Sequence, residues 1–304
     1  MCGRRTLFTV KPATRLLLIG APVVVVVAVI FGRGGDSGAL ADHPPALPAR
    51  SAPDPLASVS PGDDRPDGLA APGKKEIAAR LLASAESSTL DWRGQYGAIE
   101  DLGDGNGYTA GVIGFCSGTH DMLQLVEAYT RTHPDNPLAR YLPALREVDG
   151  GDSHQGLDPG FTAAWAKAAR SASFREAQDT IRDTLYFDPA VKRAKQDGLG
   201  TLGQFIYYDA MVLHGPGHDD EGFYGIREAA MKQARTKAGG GDEKTYLNAF
   251  LDAGRSVMKR MPTAAQRDSS RIDTAQRVFL DEGNLDLSLP LKWRVYGETF
   301  RITH

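Results

Sequence analysis

The chain has 304 residues, with 35 Lys and Arg against 38 Asp and Glu for a net charge of −3, and 41% hydrophobic content. That length and apolar fraction suffice for one large or two medium cores, and the faintly acidic balance excludes the basic surface of a nucleic-acid binder. Only two cysteines are present, Cys2 and Cys116. Cys2 falls in an N-terminal targeting pattern, so the folded part would rely on its core with no internal disulfide.

Arg4, Arg5, Lys11 and Arg15 precede an uncharged apolar run over residues 16–31, the order of a secretory signal or a membrane anchor. The run is long for a signal core and short of the roughly 20 residues that span a bilayer comfortably. A small-residue site at Ala39-Leu40-Ala41 favours cleavage; an uncleaved anchor, basic side inside, is the alternative. The two readings place the rest outside the cytoplasm, secreted in the first case and held on the outer face of the membrane in the second. From residue 36 the chain turns to Pro, Ser, Ala, Asp and Gly with little apolar periodicity, a composition that cannot bury enough surface to order itself. The organisation predicted is a signal or anchor over 1–41, a disordered linker over 42–73 and a folded domain over 74–304.

In that domain, "KKEIAARLLASAESS" (74–88) sets Ile77, Ala78, Leu81, Leu82 and Ala85 at helical intervals, with Glu86 on the flank of the stripe at the helix end. The Ser-Ser-Thr-Leu-Asp-Trp run that follows ends the helix, because such side chains compete for backbone hydrogen bonds. Next, "IEDLGDGNGYTAG" (99–111) holds three acids among four glycines, and "GYTAGVIGF" reads as a short strand or hairpin. Cys116, inside an apolar run, reads as a small buried hydrophobe. "HDMLQLVEAYTRTH" is helical by spacing, with Ser117 or Thr119 as its cap. Further helices are predicted over 139–147, 162–172, 174–185, 188–214, 226–236, 245–259 and 274–281. Without an internal repeat or βαβ alternation, the fold class is mainly α with a small β element. That class includes lysozyme-like, two-lobed enzymes with a cleft between the lobes.

Glu86 and Asp104 are the first functional candidates. A glycosidase needs one carboxyl kept protonated by apolar surroundings and one kept ionised to activate water or attack the sugar. Glu86 adjoins Leu82 and Ala85, whereas Asp104 lies between Gly103 and Gly105 in a polar turn whose N–H groups favour the anion. A surface Glu and a turn-forming Asp explain the same pattern. An EF-hand does not fit, since a loop beginning at Asp104 puts Tyr108 at position 5 and Phe115 at position 12. His214 and His218 are four apart, but Gly215, Pro216 and Gly217 break any helix that would turn them to one metal. A P-loop and a G-x-S-x-G elbow are both missing.

Several long blocks add to this reading: "ESSTLDW" (86–92), "YGAIEDLGDGNGYTAGVIGFCSGTHDMLQLV" (96–126), "LYFDPAV", "LGQFIYYDAMVLHGPG", "TYLNAFLDA" and "NLDLSLPLKW". In this order, from about residue 74 to the C-terminus, they resemble the secreted bacterial chitosanases of glycoside hydrolase family 46. The resemblance implies a lysozyme-like, two-lobed enzyme that cleaves β-1,4 bonds of chitosan internally, with inversion. It implies Glu86 as general acid, Asp104 as general base and Thr109 as holder of the attacking water. Asp121 matches an acid that binds glucosamine, where a carboxylate would pair with the ammonium group; a helix-start acid favoured by the dipole is its plainer role. Asp209 and Arg271 match a buried charge network behind the acid. Members of the family carry Arg where this chain has Asn106, so Asn106 becomes the substrate-side residue in question. They also carry Arg directly after "L-D-A", where Gly254 here precedes Arg255, so no network role passes to Arg255. Trp92, Trp165 and Trp293 match family positions and are expected to pack the core.

The sequence therefore points to a monomeric hydrolase without metal or organic cofactor, acting on a cationic polysaccharide, with no nucleic acid and no stable protein partner. A hydrolase of chitin or peptidoglycan, and a silent chitosan-binding protein, are the rivals; acids lining the cleft separate chitosan from acetylated substrates.

Overall fold

The computed structural model describes residues 67–261 and 263–304. The signal or anchor reading of residues 1–41 lies outside the described residues. Of the predicted linker over 42–73, residues 42–66 also lie outside the described residues, while residues 67–73 belong to the folded part. A short 3-10 turn, Gly68–Ala70, buries Leu69 completely and sends its N–H to Gln204 Oε1 at 2.9 Å. The first helix already begins at Pro72.

That helix, α1 (Pro72–Ser87), starts with proline at its first position, where a missing N–H costs nothing. It buries Ile77, Ala78, Leu81, Leu82 and Ala85 as the spacing requires, and it ends because Ser88 turns left-handed, with φ 48°. A three-stranded antiparallel sheet follows, with β1 (Ile99–Asp101), β2 (Tyr108–Ala110) and β3 (Phe115–Cys116) in that order. Its register pairs Asp101 with Tyr108 and Thr109 with both Glu100 and Cys116.

Helices make up most of what remains. α2 (Asp121–Thr132), α3 (Leu142–Val148), α4 (Phe161–Ala168) and α5 (Ala172–Arg182) gather beside the sheet around Trp165, Phe161 and Phe174, all fully buried. α5 runs through a π-helical turn, Asp183–Phe187, into α6 (Asp188–Gln196). Pro189 has no N–H for the carbonyl of Leu185, which accounts for the looser turn at that place.

The single helix expected over 188–214 is two helices. The chain breaks at Gly198, whose φ is +77° and where a Cβ would stand 2.9 Å from the backbone N of Ala238. Gly200 then gives its N–H to Glu243 Oε1 at 2.6 Å, and α7 (Thr201–His214) starts in a new direction. α7 is apolar on nearly all sides and buried, the signature of a central helix, and it packs on α1, α6 and α8 (Phe223–Met231). α9 (Glu243–Met258) packs on α8 and is capped by Asp242, whose side chain accepts from the Thr245 N–H at 2.8 Å. A second π-helical turn, Ile272–Gln276, leads into α10 (Arg277–Asp281).

The chain closes with a hairpin that the helical reading missed, β4 (Leu291–Val295) and β5 (Glu298–Ile302). Leu291, Trp293 and Val295 point inward, and the Trp293 indole N–H donates to Ser84 Oγ of α1 at 2.9 Å. Trp165 and Trp293 are core residues as expected, whereas Trp92 is half-buried beneath the Arg93 guanidinium, 4.1 Å from its ring. The architecture is mainly α with a small β element.

Candidate active site

Glu86 occupies the last turn of α1, its apolar stripe carrying the carboxyl into the interior, where it is 1% exposed. Its Oε1 accepts from Arg271 Nη2 at 2.7 Å, while Oε2 is buried with no hydrogen-bond partner. Burial disfavours the charged form more than Arg271 supports it, and the carboxyl is pushed up to about 7. The same Nη2 donates to Asp209 Oδ1 at 2.8 Å, and Arg271 Nε to Asp209 Oδ2 at 3.2 Å. Asp209 projects from the central α7 and Arg271 from the entry to the second π-helical turn, so three distant segments meet at one buried guanidinium.

Gln276 also belongs to this cluster, its Nε2 donating to Asp209 Oδ2 at 2.6 Å. Sequence reasoning missed it, because the π-helical turn that brings it to the same carboxylate as Arg271 leaves no mark in helical periodicity. Arg255 stays outside, with Nε 3.0 Å from Asp273 Oδ2. His214, buried at the end of α7, is pushed down to about 3 by burial and by Arg271.

Asp104 stands at the tip of the loop between β1 and β2. Gly103 and Gly105 on either side have φ of +64° and +91°, left-handed conformations that side chains rarely adopt. The glycines therefore let the chain reverse over residues 102–107 and carry a half-buried carboxyl on that loop. Asp104 Oδ1 accepts from the Asn106 N–H at 3.0 Å, and Oδ2 is buried without a partner. The expected anion-favouring N–H is present, yet burial outweighs it and raises the carboxyl above its ordinary value, with the Asp101 charge adding to the rise. Asn106 is itself buried, its N–H on Asp104 and its carbonyl accepting from Gly118 N at 3.0 Å, so it braces the loop.

Thr109, in the middle of β2, is 2% exposed, with Oγ1 3.4 Å from Cys116 Sγ. Cys116 is buried as the sequence indicated, and burial pushes its thiol well up. Thr109 lines a narrow recess together with Gln95, Gly111 and Ser87, the residue after Glu86, which brings the end of α1 and the sheet to one cavity.

Asp121 opens α2, but neither Ser117 nor Thr119 caps that helix; His120 takes the cap position with φ 70°. Instead the Asp121 carboxylate turns back, Oδ1 accepting from Cys116 N at 3.0 Å, Thr119 Oγ1 at 2.8 Å and Met122 N at 2.8 Å. Oδ2 accepts from the Tyr186 hydroxyl at 2.9 Å. Tyr186 comes from the first π-helical turn and was not singled out in the sequence. Burial raises Asp121 to about 6 against these donors. Among the described residues no group of three His, Cys, Asp or Glu side chains is arranged to hold a metal ion. The pair His214 and His218 is divided between the buried interior and a ring stack on Tyr224 at 4.5 Å.

Buried carboxyls with free oxygens, one on a helix end and one on a glycine loop, are the equipment of acid–base chemistry. The comparisons with known proteins identify the family. A chitosanase of Streptomyces sp. is 60% identical over 235 residues, 77% of this chain and 84% of that protein. A chitosanase crystallised with substrate superposes with a TM-score of 0.76 at 53% identity, covering 78% of this chain and 99% of that one. The Gynuella sunshinyii chitosanase in complex with chitotetraose gives 0.71 at 32% identity, covering 76% and 97%. The model of glycosyl hydrolase family 46 matches residues 80–291, and the chain belongs to that family.

Proposed function

We propose that this chain is an exported chitosanase that hydrolyses β-1,4 bonds within chitosan by a single displacement with inversion. The observation that carries the proposal is the setting of Glu86: a carboxyl raised to about 7, with one oxygen held by Arg271 and the other free. Such a group is protonated through most of the acidic range and can give its proton away.

In this reading Glu86 Oε2 gives its proton to the glycosidic oxygen as the bond from that oxygen to the anomeric carbon breaks. A water held at Thr109 attacks the anomeric carbon from the opposite face, and Asp104 Oδ2 takes the water's proton. Glu86 ends ionised, Asp104 ends protonated, and proton exchange with solvent resets both. Inversion requires room for that water between base and sugar. A two-lobed, lysozyme-like cleft would hold the polymer across both carboxyls, and its middle position would make the enzyme endo-acting. Asp121, held by four donors, would meet a glucosamine ammonium group as an anion; an acetylated sugar offers no such cation, which favours chitosan over chitin or peptidoglycan. The enzyme would act as a monomer, secreted after cleavage of the N-terminal segment.

The test is reducing-end release from soluble chitosan and from colloidal chitin by residues 67–304, with Asp104→Asn as control. Release from chitosan that the control loses supports the proposal. Release from chitin alone moves the substrate to acetylated polymers, and binding without release makes the chain a silent binder. Inversion is read from the anomer first formed, by proton NMR. Sequencing the N-terminus of protein from the culture medium tests export.

A further inference from the structure

The loop that carries Asp104 is closed at its mouth by a histidine with no part in the reading above. His154 stacks on Tyr108, ring centroids 4.0 Å apart and planes 7° from parallel. Its Nε2 lies 3.6 Å from Asp101 Oδ2, and its Nδ1 lies 3.7 Å from Asp158 Oδ2. Asp101 is the last residue of β1 and Tyr108 the first of β2, and the two face each other in the ladder. The histidine therefore meets both ends of the 102–107 loop.

The Tyr108 hydroxyl donates to Asp158 Oδ1 at 2.7 Å, which closes a ring of three side chains, Tyr108, His154 and Asp158, with Asp101 on the outer edge of the histidine. The segment behind the ring is itself tied down. Leu157 and Asp158 give their N–H groups to the His154 carbonyl at 3.0 and 3.3 Å, and Gly150 N donates to Gly118 O at 3.1 Å. Gly118 in turn donates to the Asn106 carbonyl on the far side of the loop. Both flanks of the loop are thus referred to one wall, residues 150–158.

We propose that His154 is a positioning residue for hydrolysis, holding the two ends of the 102–107 loop to the 150–158 wall and so setting where Asp104 stands. The proposal rests on the reading of Asp104 as the base. Histidine suits the place because one flat ring stacks on Tyr108 while turning its two nitrogens toward carboxylates on opposite edges, Asp101 and Asp158. The charged and titratable groups that face it are Asp101 from β1, Tyr108 from β2 and Asp158 from the turn before α4. Asp101 is also the carboxylate whose charge bears on Asp104. An N–H turned toward Asp101 would offset part of that charge, so its removal should leave Asp104 harder to ionise.

The experiment uses His154→Phe, which keeps the stack and removes both ring nitrogens, and measures kcat, KM and the pH dependence of kcat/KM on soluble chitosan. The expected result is about a tenfold fall in kcat, KM within about twofold, and an acid limb of the profile moved to higher pH. Adding Asp101→Asn should return the acid limb to its original position. If His154→Phe folds poorly, His154→Gln, which keeps an N–H donor and loses the ring, carries the same measurements.

A kcat within twofold of the parent, an acid limb that does not move, or a limb that Asp101→Asn fails to return would each overturn the proposal. So would a loss explained wholly by a smaller folded fraction. Substantial activity in Asp104→Asn would instead remove the base assignment on which the proposal stands, so the two failures are distinguishable.

Discussion

Replacing Glu86 by Gln separates the electrostatic state of the proposed acid from its role in catalysis. The carboxyl has its ordinary value of 4.5 in the unfolded chain and about 7 in the folded one. Since the folded state binds this proton more tightly, the carboxyl carries no penalty below pH 4.5 and destabilises the fold as the pH rises toward and through 7. The difference between the two values corresponds to about 3 kcal/mol once the pH is well above 7. Glutamine cannot ionise and so escapes that penalty, while its amide oxygen can still accept from Arg271. The stability of Glu86→Gln relative to the parent should therefore improve by about 3 kcal/mol between pH 4.5 and pH 8, whatever its offset. Urea unfolding followed by tryptophan fluorescence at the two pH values measures it, while kcat should fall at least about a hundredfold at both. A stability difference that does not change with pH would refute the argument that burial dominates Arg271 at this carboxyl.

Asp209→Asn should remove a charge that both raises Glu86 and holds Arg271, so the alkaline limb of kcat/KM should move to lower pH. The same change should cost about 3 kcal/mol or more of stability, because it leaves a buried guanidinium short of a partner. Leu69→Ala should cost about 2–5 kcal/mol in urea unfolding, since its side chain is wholly buried. A chain begun at residue 74 should melt below one begun at residue 67, and equal melting would return Leu69 to the linker. Gly105→Ala, forcing a side chain onto φ +91°, should lower kcat through displacement of Asp104; unchanged kinetics would show that the loop tolerates the strain.

Much of the site was legible in the sequence because it is made of local patterns. The apolar stripe from Ile77 to Ala85 put Glu86 at a helix end beside apolar neighbours, and the glycines around Asp104 marked a reversal bearing a carboxyl. Other features were hidden because they depend on contacts between distant segments. Asp104 was expected to be favoured as the anion by its turn; the N–H is there, but burial shifts the carboxyl upward from its ordinary value. Asn106, expected on the substrate side, is also buried and braces the loop with its N–H on Asp104, a contact the sequence did not indicate. The C-terminal hairpin alternates buried and exposed residues over only five positions per strand, a signal that a helical reading of the chain passes over.

What the sequence determined by itself was the class of fold, mainly α with a small β element, and the candidate carboxyls, because hydrophobic periodicity and glycine placement act over a few residues. The tertiary structure alone decided how those carboxyls are charged. Glu86, Asp209, Arg271 and Gln276 come from α1, α7 and the turn before α10, and only their burial together makes one guanidinium serve two carboxylates while leaving Glu86 Oε2 free. Desolvation is a property of the whole packed surroundings, so no stretch of chain carries it alone. The same holds for His154, which lies far along the chain from Asp101 and Tyr108 and meets them only where the wall folds back on the sheet.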